Sequence, residues 1–322
     1  MREDRVATPF SEEQAVALAR QLYGLEGLAR GLPGEYDDNF HLRTPEGPGF
    51  VLKVMHPARE QTFIDLQCQA LQHLARRAPQ LALPRVCLTR DGAPIASVRG
   101  ADGGERLVWM LTYVPGTVFA EARPHSPELL LSLGRLLGQM DAALADFSHP
   151  AAHRELKWDL ARVGWIRDRL HHISDPVRRS LVERFLALYE AEVMPTLSNL
   201  RRSVVYGDAN DHNVLVGDPR AQPRQVVSVI DFGDLHHGLT VSEPAIAAAY
   251  AILGKSDPLP AAGLVVAGYH QVFPLEEAEI ALLYPLIGAR LAVSVTNSAY
   301  RKTLKPNDPY VTISEAPAWE AL

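Results

Sequence analysis

Apolar residues recur at helical spacing in AVALARQLYGL near the start of the chain. Ser11, followed three residues later by Gln14, supplies the capping-box signature that opens such a segment, so a helix over 11–23 ending near Gly24 is expected. The period then shortens. Runs at 28–32, 37–43 and 49–55 read as strands, with TPEGPG at 44–49 turning between the last two. A helix-compatible stretch at 60–77 follows, then strand-like runs at 84–89, 94–98 and 106–113. Up to residue 113 the pattern predicts a small sheet carrying one long helix.

After Val114-Pro115-Gly116 the texture changes to long helical patterns at 127–146, 159–172, 176–199, 241–253 and 275–300. Two short β-like runs interrupt them, VVYGDANDHNVLV at 204–216 and QVVSVIDFGD at 225–234. No internal repeat or low-complexity segment stands out.

Composition narrows the class without fixing it. The 322 residues suffice for two domains, and 47% hydrophobic with 22% charged content is that of a globular enzyme. Lys and Arg number 32 against 38 Asp and Glu, a net charge of −6 that argues against a broad nucleic-acid footprint, so an anionic ligand would need a local site. Only Cys68 and Cys87 are present, without C-x-x-C spacing, which supports neither a disulfide framework nor a cysteine zinc site and fits a reducing, cytoplasmic setting. The start, MREDRVATPFSEEQ, is too polar for a signal peptide, and the most apolar stretch, near 278–295, carries Pro285 and Arg290, so a buried helix is expected there and no membrane partner.

The candidate chemistry lies in the two β-like runs. Asp208 is followed five residues later by Asn213, and Asp231-Phe232-Gly233 comes 18 residues beyond that. The order and spacing match the kinase pattern in which one Asp accepts the hydroxyl proton while an Asn and a second Asp hold Mg²⁺, a hard cation that wants oxygen ligands. Either fragment alone would more simply shape a loop or end a strand; together they favour phosphoryl transfer. Upstream, FVLKV places Lys53 on a strand with Val51 and Met55 on its face and Leu52 and Val54 on the other, so its ammonium can meet nucleotide phosphates. The preceding GLPGEYDDNFHL has Gly31 and Gly34 but is not G-x-G-x-x-G, a weak nucleotide-covering signal.

These residues resemble the aminoglycoside phosphotransferase-like, or choline-kinase-like, small-molecule kinases. Tyr206-Gly207-Asp208 resembles their H-G-D, Asn213 their metal asparagine and Ile230-Asp231-Phe232-Gly233 their I-D-F/W-x segment. The run Asp208 to Leu215, Asp231 to Asp234, Lys157-Trp158-Asp159-Leu160 and Arg290 to Tyr300 are similar to the hydroxylysine kinase branch, which also occurs as the amino-terminal phosphotransferase part of class III aminotransferase fusions. The resemblance implies an α+β, bilobal protein-kinase-like fold, with a β-rich nucleotide-binding lobe at 1–113 and a mainly helical catalytic and substrate-binding lobe at 114–322. It further implies Mg²⁺, ATP or GTP as co-substrate, and Thr112, Tyr113 and Val114 holding the nucleotide base through backbone groups. Two departures stand out. Tyr206 replaces the usual His, and Gln67 stands where relatives carry the helix Glu that pairs with the lysine, leaving Glu60 or Gln67 as its partner.

The acceptor implied is a small amine-bearing alcohol, 5-hydroxylysine first, with ethanolamine, choline, homoserine and aminoglycosides as alternatives; a module that holds nucleotide without turnover is the non-enzymatic one. A cationic substrate calls for carboxylates, for which Asp159, Asp234 and Glu243 are candidates, although Asp159 and Glu243 could equally serve helix N-termini. An amino-acid substrate adds a carboxylate, and Arg290, set in apolar PLIGARLAVSV, either grips it or forms an ion pair between helices. Gly254-Lys255-Ser256 imitates a Walker A ending without the preceding loop, and the pairs His236/His237 and His149/His153 lack matched further ligands for a metal.

Overall fold

The computed structural model describes residues 8–34, 36–304 and 315–322; the polar start up to residue 7 and Glu35 of the glycine-bearing loop lie outside the described residues. The chain divides into two compact units, Met1–Pro115 and Gly116–Leu322.

In the N-terminal unit, Ser11 caps helix α1 (Glu12–Leu18): its hydroxyl accepts from the Gln14 N–H at 3.2 Å and the Gln14 side chain accepts from the Ser11 N–H at 2.8 Å. A wider π turn carries the helix on through Ala19–Tyr23 to Gly24. Strands β1 (Leu28–Leu32), β2 (Asp38–Arg43), β3 (Phe50–Val54), β4 (Val86–Cys87), β5 (Ala96–Arg99) and β6 (Glu105–Thr112) form one antiparallel sheet in the order β1-β2-β3-β6-β4, with β5 also on β6. Phe40, Leu42, Leu52, Val54, Val108 and Met110 project from one face of it onto Ala15 and Leu18 of α1. Period-2 alternation thus separates this core from Lys53, as expected from FVLKV. Helix α2 (Gln61–Arg77) buries Ile64, Leu66, Ala70, Leu71 and Leu74. Cys68 and Cys87 are free, and burial pushes their thiols up to about 12 and about 11.

The C-terminal unit contains β7 (Thr117–Val118), α3 (Pro127–Leu144), α4 (Pro176–Leu188), β8 (Arg202–Val205), β9 (Val214–Val216), β10 (Val226–Val229), β11 (His236–Leu239), α5 (Ser242–Ala251), α6 (Pro258–Val272), α7 (Glu277–Ala281), α8 (Leu283–Leu304) and α9 (Glu315–Ala321). Its sheets are small: β10-β9-β7, and the antiparallel pair β11-β8. Three long helices read from the sequence are shorter or broken. Over 159–172 the regular element is a 3₁₀ segment, Val163–His172, because the Asp159 carboxylate accepts the Ala161 N–H at 2.8 Å and closes a local turn in place of an α-helical one. The 176–199 pattern ends as an α-helix at Leu188, giving way to a π turn and then a 3₁₀ turn at Pro195. The 275–300 pattern splits at Leu282, with Pro285 in the first turn of α8, where a missing N–H costs nothing.

Helix α6 was not anticipated, since PLPAAGLVVAGYHQV carries two prolines and two glycines. It lies against α3 at backbone contact. A Cβ on Gly134 would sit 2.0 Å from the Val265 carbonyl oxygen, and one on Gly268 2.1 Å from that of Leu131. Inside this seam the Tyr269 hydroxyl donates to the buried Asp141 carboxylate. Among the described residues no helix is long and apolar enough to cross a membrane.

Candidate active site

The site grows out of the ends of two strand pairs. After β8 the chain enters the loop Tyr206–Asn213, which returns as β9; β10 runs antiparallel to β9 and delivers Asp231 to the same end. The Asn213 carbonyl accepts the Ile230 N–H at 2.9 Å, and the Tyr206 hydroxyl donates to the Ile230 carbonyl, so the two segments are tied together. Phe232 is buried with its ring edge-on to Tyr206, 5.1 Å between centroids. Tyr206 therefore performs a loop-supporting task at the position where the resembling family has His.

Within the loop, shape and chemistry belong to different residues. Asn210 makes the turn, its side-chain oxygen accepting from the N–H groups of His212 at 2.9 Å and Asn213 at 3.1 Å. Beneath it, Glu243 in the first turn of α5 accepts the Gly207 N–H at 2.8 Å. Asp208 is spared this work. One carboxylate oxygen accepts from Asn213 Nδ2 at 2.7 Å, the other from Arg290 Nη2 at 3.0 Å.

Arg290 enters from α8 with its side chain 1% exposed. Its guanidinium carbon lies 4.5 Å from the ring centroid of Trp158 and 5.4 Å from that of Tyr250, whose hydroxyl accepts from Nη2 at 3.3 Å. Nε and Nη1 are buried without a hydrogen-bond partner in the protein. The interhelical ion pair considered from sequence is thus an ion pair with the candidate base, leaving two donors over.

Asp208 is partly buried beside Asp234 and Asp231, and its proton affinity is raised well above the carboxylate norm, chiefly by desolvation and then by Asp234, with Arg290 acting against the rise. Asp231, exposed, adopts φ 60°, a left-handed conformation uncommon outside glycine. Arg154 braces the turn that follows, donating to the carbonyls of Gly233 and Leu235, the latter at 3.1 Å.

Asp231 and the side-chain oxygen of Asn213 fit a magnesium ion by donor chemistry: both are hard oxygens, and the Asn213 nitrogen is turned to Asp208. Among the described residues no three His, Cys, Asp or Glu side chains form a preformed metal cage. Magnesium needs none, being held through one or two carboxylates together with phosphate and water.

A model of the phosphotransferase enzyme family matches residues 29–280. The chain belongs to that family. Hydroxylysine kinase of Bos taurus is 33% identical over 97% of this chain and 88% of its own, and that of Danio rerio 33% identical over 95% and 88%. Among solved structures, a microcompartment-associated aminopropanol kinase superposes with a TM-score of 0.74 at 18% identity (96% of this chain, 95% of the other), and an amicoumacin kinase in complex with AMP-PNP, Ca²⁺ and Ami with 0.71 at 16% (97% and 92%). The fold is therefore the mixed α/β kinase-like one, and the protein is a phosphotransferase with a hydroxyl acceptor.

Elsewhere in the phosphotransferase the sequence expectations divide. In the N-terminal unit, Lys53 Nζ lies 5.7 Å from the Trp109 ring centroid. Gln67 is buried, with its amide donating to Phe63 of its own helix at 3.2 Å, and Glu60 is exposed at the start of α2. Gly34 sits in a turn so tight that a Cβ would be 2.6 Å from the Asp37 carbonyl; at Gly31 a Cβ would find no atom nearer than 3.8 Å, and its N–H donates to Glu12. In the same loop, Asp37 pairs with Arg59 at 3.0 Å and accepts the His56 N–H. Of the backbone groups of Thr112, Tyr113 and Val114 expected to meet a nucleotide base, the N–H groups of Thr112 and Tyr113 bond the carbonyls of Arg85 and Gly49, at 2.9 and 3.0 Å. Val114 follows them at the end of this unit.

In the C-terminal unit the acidic wall reduces to Asp234. Glu243 is fully buried under the Gly207 backbone, and Asp159 faces the buried His236 at 3.6 Å, both turned to structural tasks. The histidines pair differently from expectation, His153 stacking on His237 at 4.6 Å while His149 accepts the Ala151 N–H. Gly254-Lys255-Ser256 lies between α5 and α6, with no strand before it. Tyr250 and Arg154 were missed. Tyr250 had a signal, as the one polar-tipped side chain in AIAAAYAIL; Arg154, three residues before Lys157, had none.

Proposed function

We propose that this phosphotransferase moves the γ-phosphoryl group of ATP or GTP to the side-chain hydroxyl of 5-hydroxylysine. The observation that carries the reading is the near-full-length relationship to proteins named hydroxylysine kinase, 33% identical over 97% of the chain. The site chemistry agrees with it. Asp208 receives and orients the acceptor hydroxyl, its two oxygens fixed by Asn213 and Arg290. Burial makes it a stronger base than an ordinary carboxylate, while the guanidinium keeps the ionised form accessible. Asp231 and Asn213 hold Mg²⁺, which neutralises charge on the phosphate oxygens. Lys53 supplies a further cation to the phosphates. The unpartnered Nε and Nη1 of Arg290 lie on different edges of the guanidinium, and a charged N–H from one of them donates to an oxygen of the α-carboxylate, while Asp234 faces the substrate's ammonium. In hydroxylysine the carboxyl carbon is four carbon–carbon bonds from the hydroxyl-bearing carbon, about 5 Å in extended form, and the Arg290 guanidinium begins 3.0 Å from Asp208.

The test is an acceptor panel of hydroxylysine, ethanolamine, choline, homoserine and an aminoglycoside, each with ATP and with GTP, read as phosphorylated product by mass. Hydroxylysine is expected to give the highest kcat/KM. Preference for a carboxylate-free acceptor would overturn the assignment while leaving the phosphotransferase intact.

A further inference from the structure

A second concave site lies in the C-terminal unit, on the far side of the turn that follows Asp231. It is a pocket of about 420 Å³ lined chiefly by His153, Arg154, Asp159, Arg162, Arg202 and His237. That size falls within the range of about 300–1,000 Å³ typical of small-molecule sites. Three guanidiniums and two imidazoles thus face one carboxylate. The carboxylate is already engaged, Asp159 lying 3.6 Å from His236 and 3.7 Å from Arg162, and Arg162 is shared with Glu155 at 2.7 Å. Arg202 stands exposed at the start of β8, in register with Leu239 of β11, and His237 opposes Val204 on the same ladder. The basicity of His237 is depressed by burial and next by His153 and Arg202, as in a cationic pocket short of counter-charge.

We propose that this pocket is a second ligand site that binds a phosphate-bearing anion, either inorganic phosphate or a small phosphate monoester. Arg202 and Arg162 bring planar forks and His153 and His237 ring nitrogens to the lining, more donors than a single flat carboxylate uses and a set suited to phosphate oxygens. The pocket is also larger than a bare phosphate requires, so a monoester with a short organic arm is the better fit. The site is wired to the reaction centre. Arg154 forms its wall and holds the carbonyls of Gly233 and Leu235, and His236, facing Asp159, bonds the Asp234 carbonyl at 2.9 Å. An anion drawing on Arg154 competes with those carbonyls and slackens the turn that sets Asp231, so occupancy raises the KM for metal–nucleotide.

Calorimetric titration of the whole chain with glycerol 3-phosphate and with inorganic phosphate tests this, using the parent, Arg202→Ala, His237→Gln and Asp208→Asn. The parent and Asp208→Asn are expected to bind alike, whereas each pocket variant loses at least tenfold in affinity. Arg202→Ala is expected to keep the parent's melting temperature and basal activity while losing the glycerol phosphate-dependent rise in KM. Tighter binding of the monoester identifies an organic phosphate as the ligand; equal binding identifies free phosphate. Affinity unchanged in both pocket variants, or lost in Asp208→Asn alone, would show that the anion occupies the active site and overturn the proposal.

Discussion

Arg290→Met removes one partner of an ion pair whose arginine is 1% exposed and whose aspartate is 19% exposed. Breaking a buried pair from one side costs about 3–5 kcal/mol, and the residual exposure of Asp208 puts this site near the lower end. The kinetic consequence has two separable parts. Without the guanidinium, Asp208 remains beside Asp234 and Asp231 with only amide hydrogen bonds to offset them, so its proton affinity climbs further and it serves less well as a base. That part lowers kcat for every acceptor, on the order of the 10²–10⁴-fold ascribed to general-base catalysis. The second part concerns Nε and Nη1: a charged hydrogen bond to carboxylate is worth about 1.5–3 kcal/mol, a further ~10–150-fold in kcat/KM for acceptors that carry one. The assay is steady-state kinetics with hydroxylysine and with its decarboxylated analogue, 1,5-diaminopentan-2-ol, alongside the melting temperature. Equal losses on both acceptors would confine Arg290 to positioning Asp208 and remove the carboxylate contact. An unchanged kcat on both would refute the role of the ion pair itself.

Asp208→Asn is expected to keep nucleotide affinity by calorimetry while turnover falls by about 10²–10⁴-fold; an unchanged rate would disqualify Asp208 as the base. Glu243 is buried and pushed up to about 7, so the folded state holds its proton where the unfolded chain, near 4.5, has released it. Its contribution to stability is complete below about 4.5 and is lost as pH rises to about 7; Glu243→Gln, which still accepts from Gly207, should flatten the fall in melting temperature between pH 5 and 7, and an identical slope would contradict the assignment. Gly134→Ala should destabilise by about 1–3 kcal/mol in denaturant titration, whereas Gly263→Ala, with no atom within 4 Å of its added Cβ, should be neutral or better. Equal effects would deny that the α3–α6 seam is set by backbone contact.

What could be read from sequence was local or periodic. The Ser11–Gln14 box, the alternation around Lys53 and the spacing from Asp208 to Asp231 each express a constraint within a few residues or along one strand pair. Helix α6 escaped because its composition suits neither propensity nor an amphipathic pattern; it is helical because glycines let it press on α3, a tertiary reason written half in another helix. The division of labour in the loop Tyr206–Asn213 escaped likewise. Asn210 looks like any loop residue, and only its two bonds show that it frees Asp208 and Asn213 from making the turn. Tyr113 was named from the family resemblance, but whether its N–H is spent depends on Gly49 across the sheet.

Asp234 and Asp231 raise the proton affinity of Asp208, Asp231 raises that of Asp234, and Asp231 holds a backbone conformation that asparagine or glycine would adopt more easily. The fold therefore carries a standing electrostatic and conformational load at its candidate site, offset by the packing around it. Asp231 or Asp234 changed to asparagine relieves part of that load, whereas Asp208 is held by its ion pair with the buried Arg290. A screen on this chain for heat resistance alone, blind to turnover, would be drawn toward those positions and would return proteins that are sturdier and inert. Thermostabilisation has to be sought away from them, with the three carboxylates held fixed.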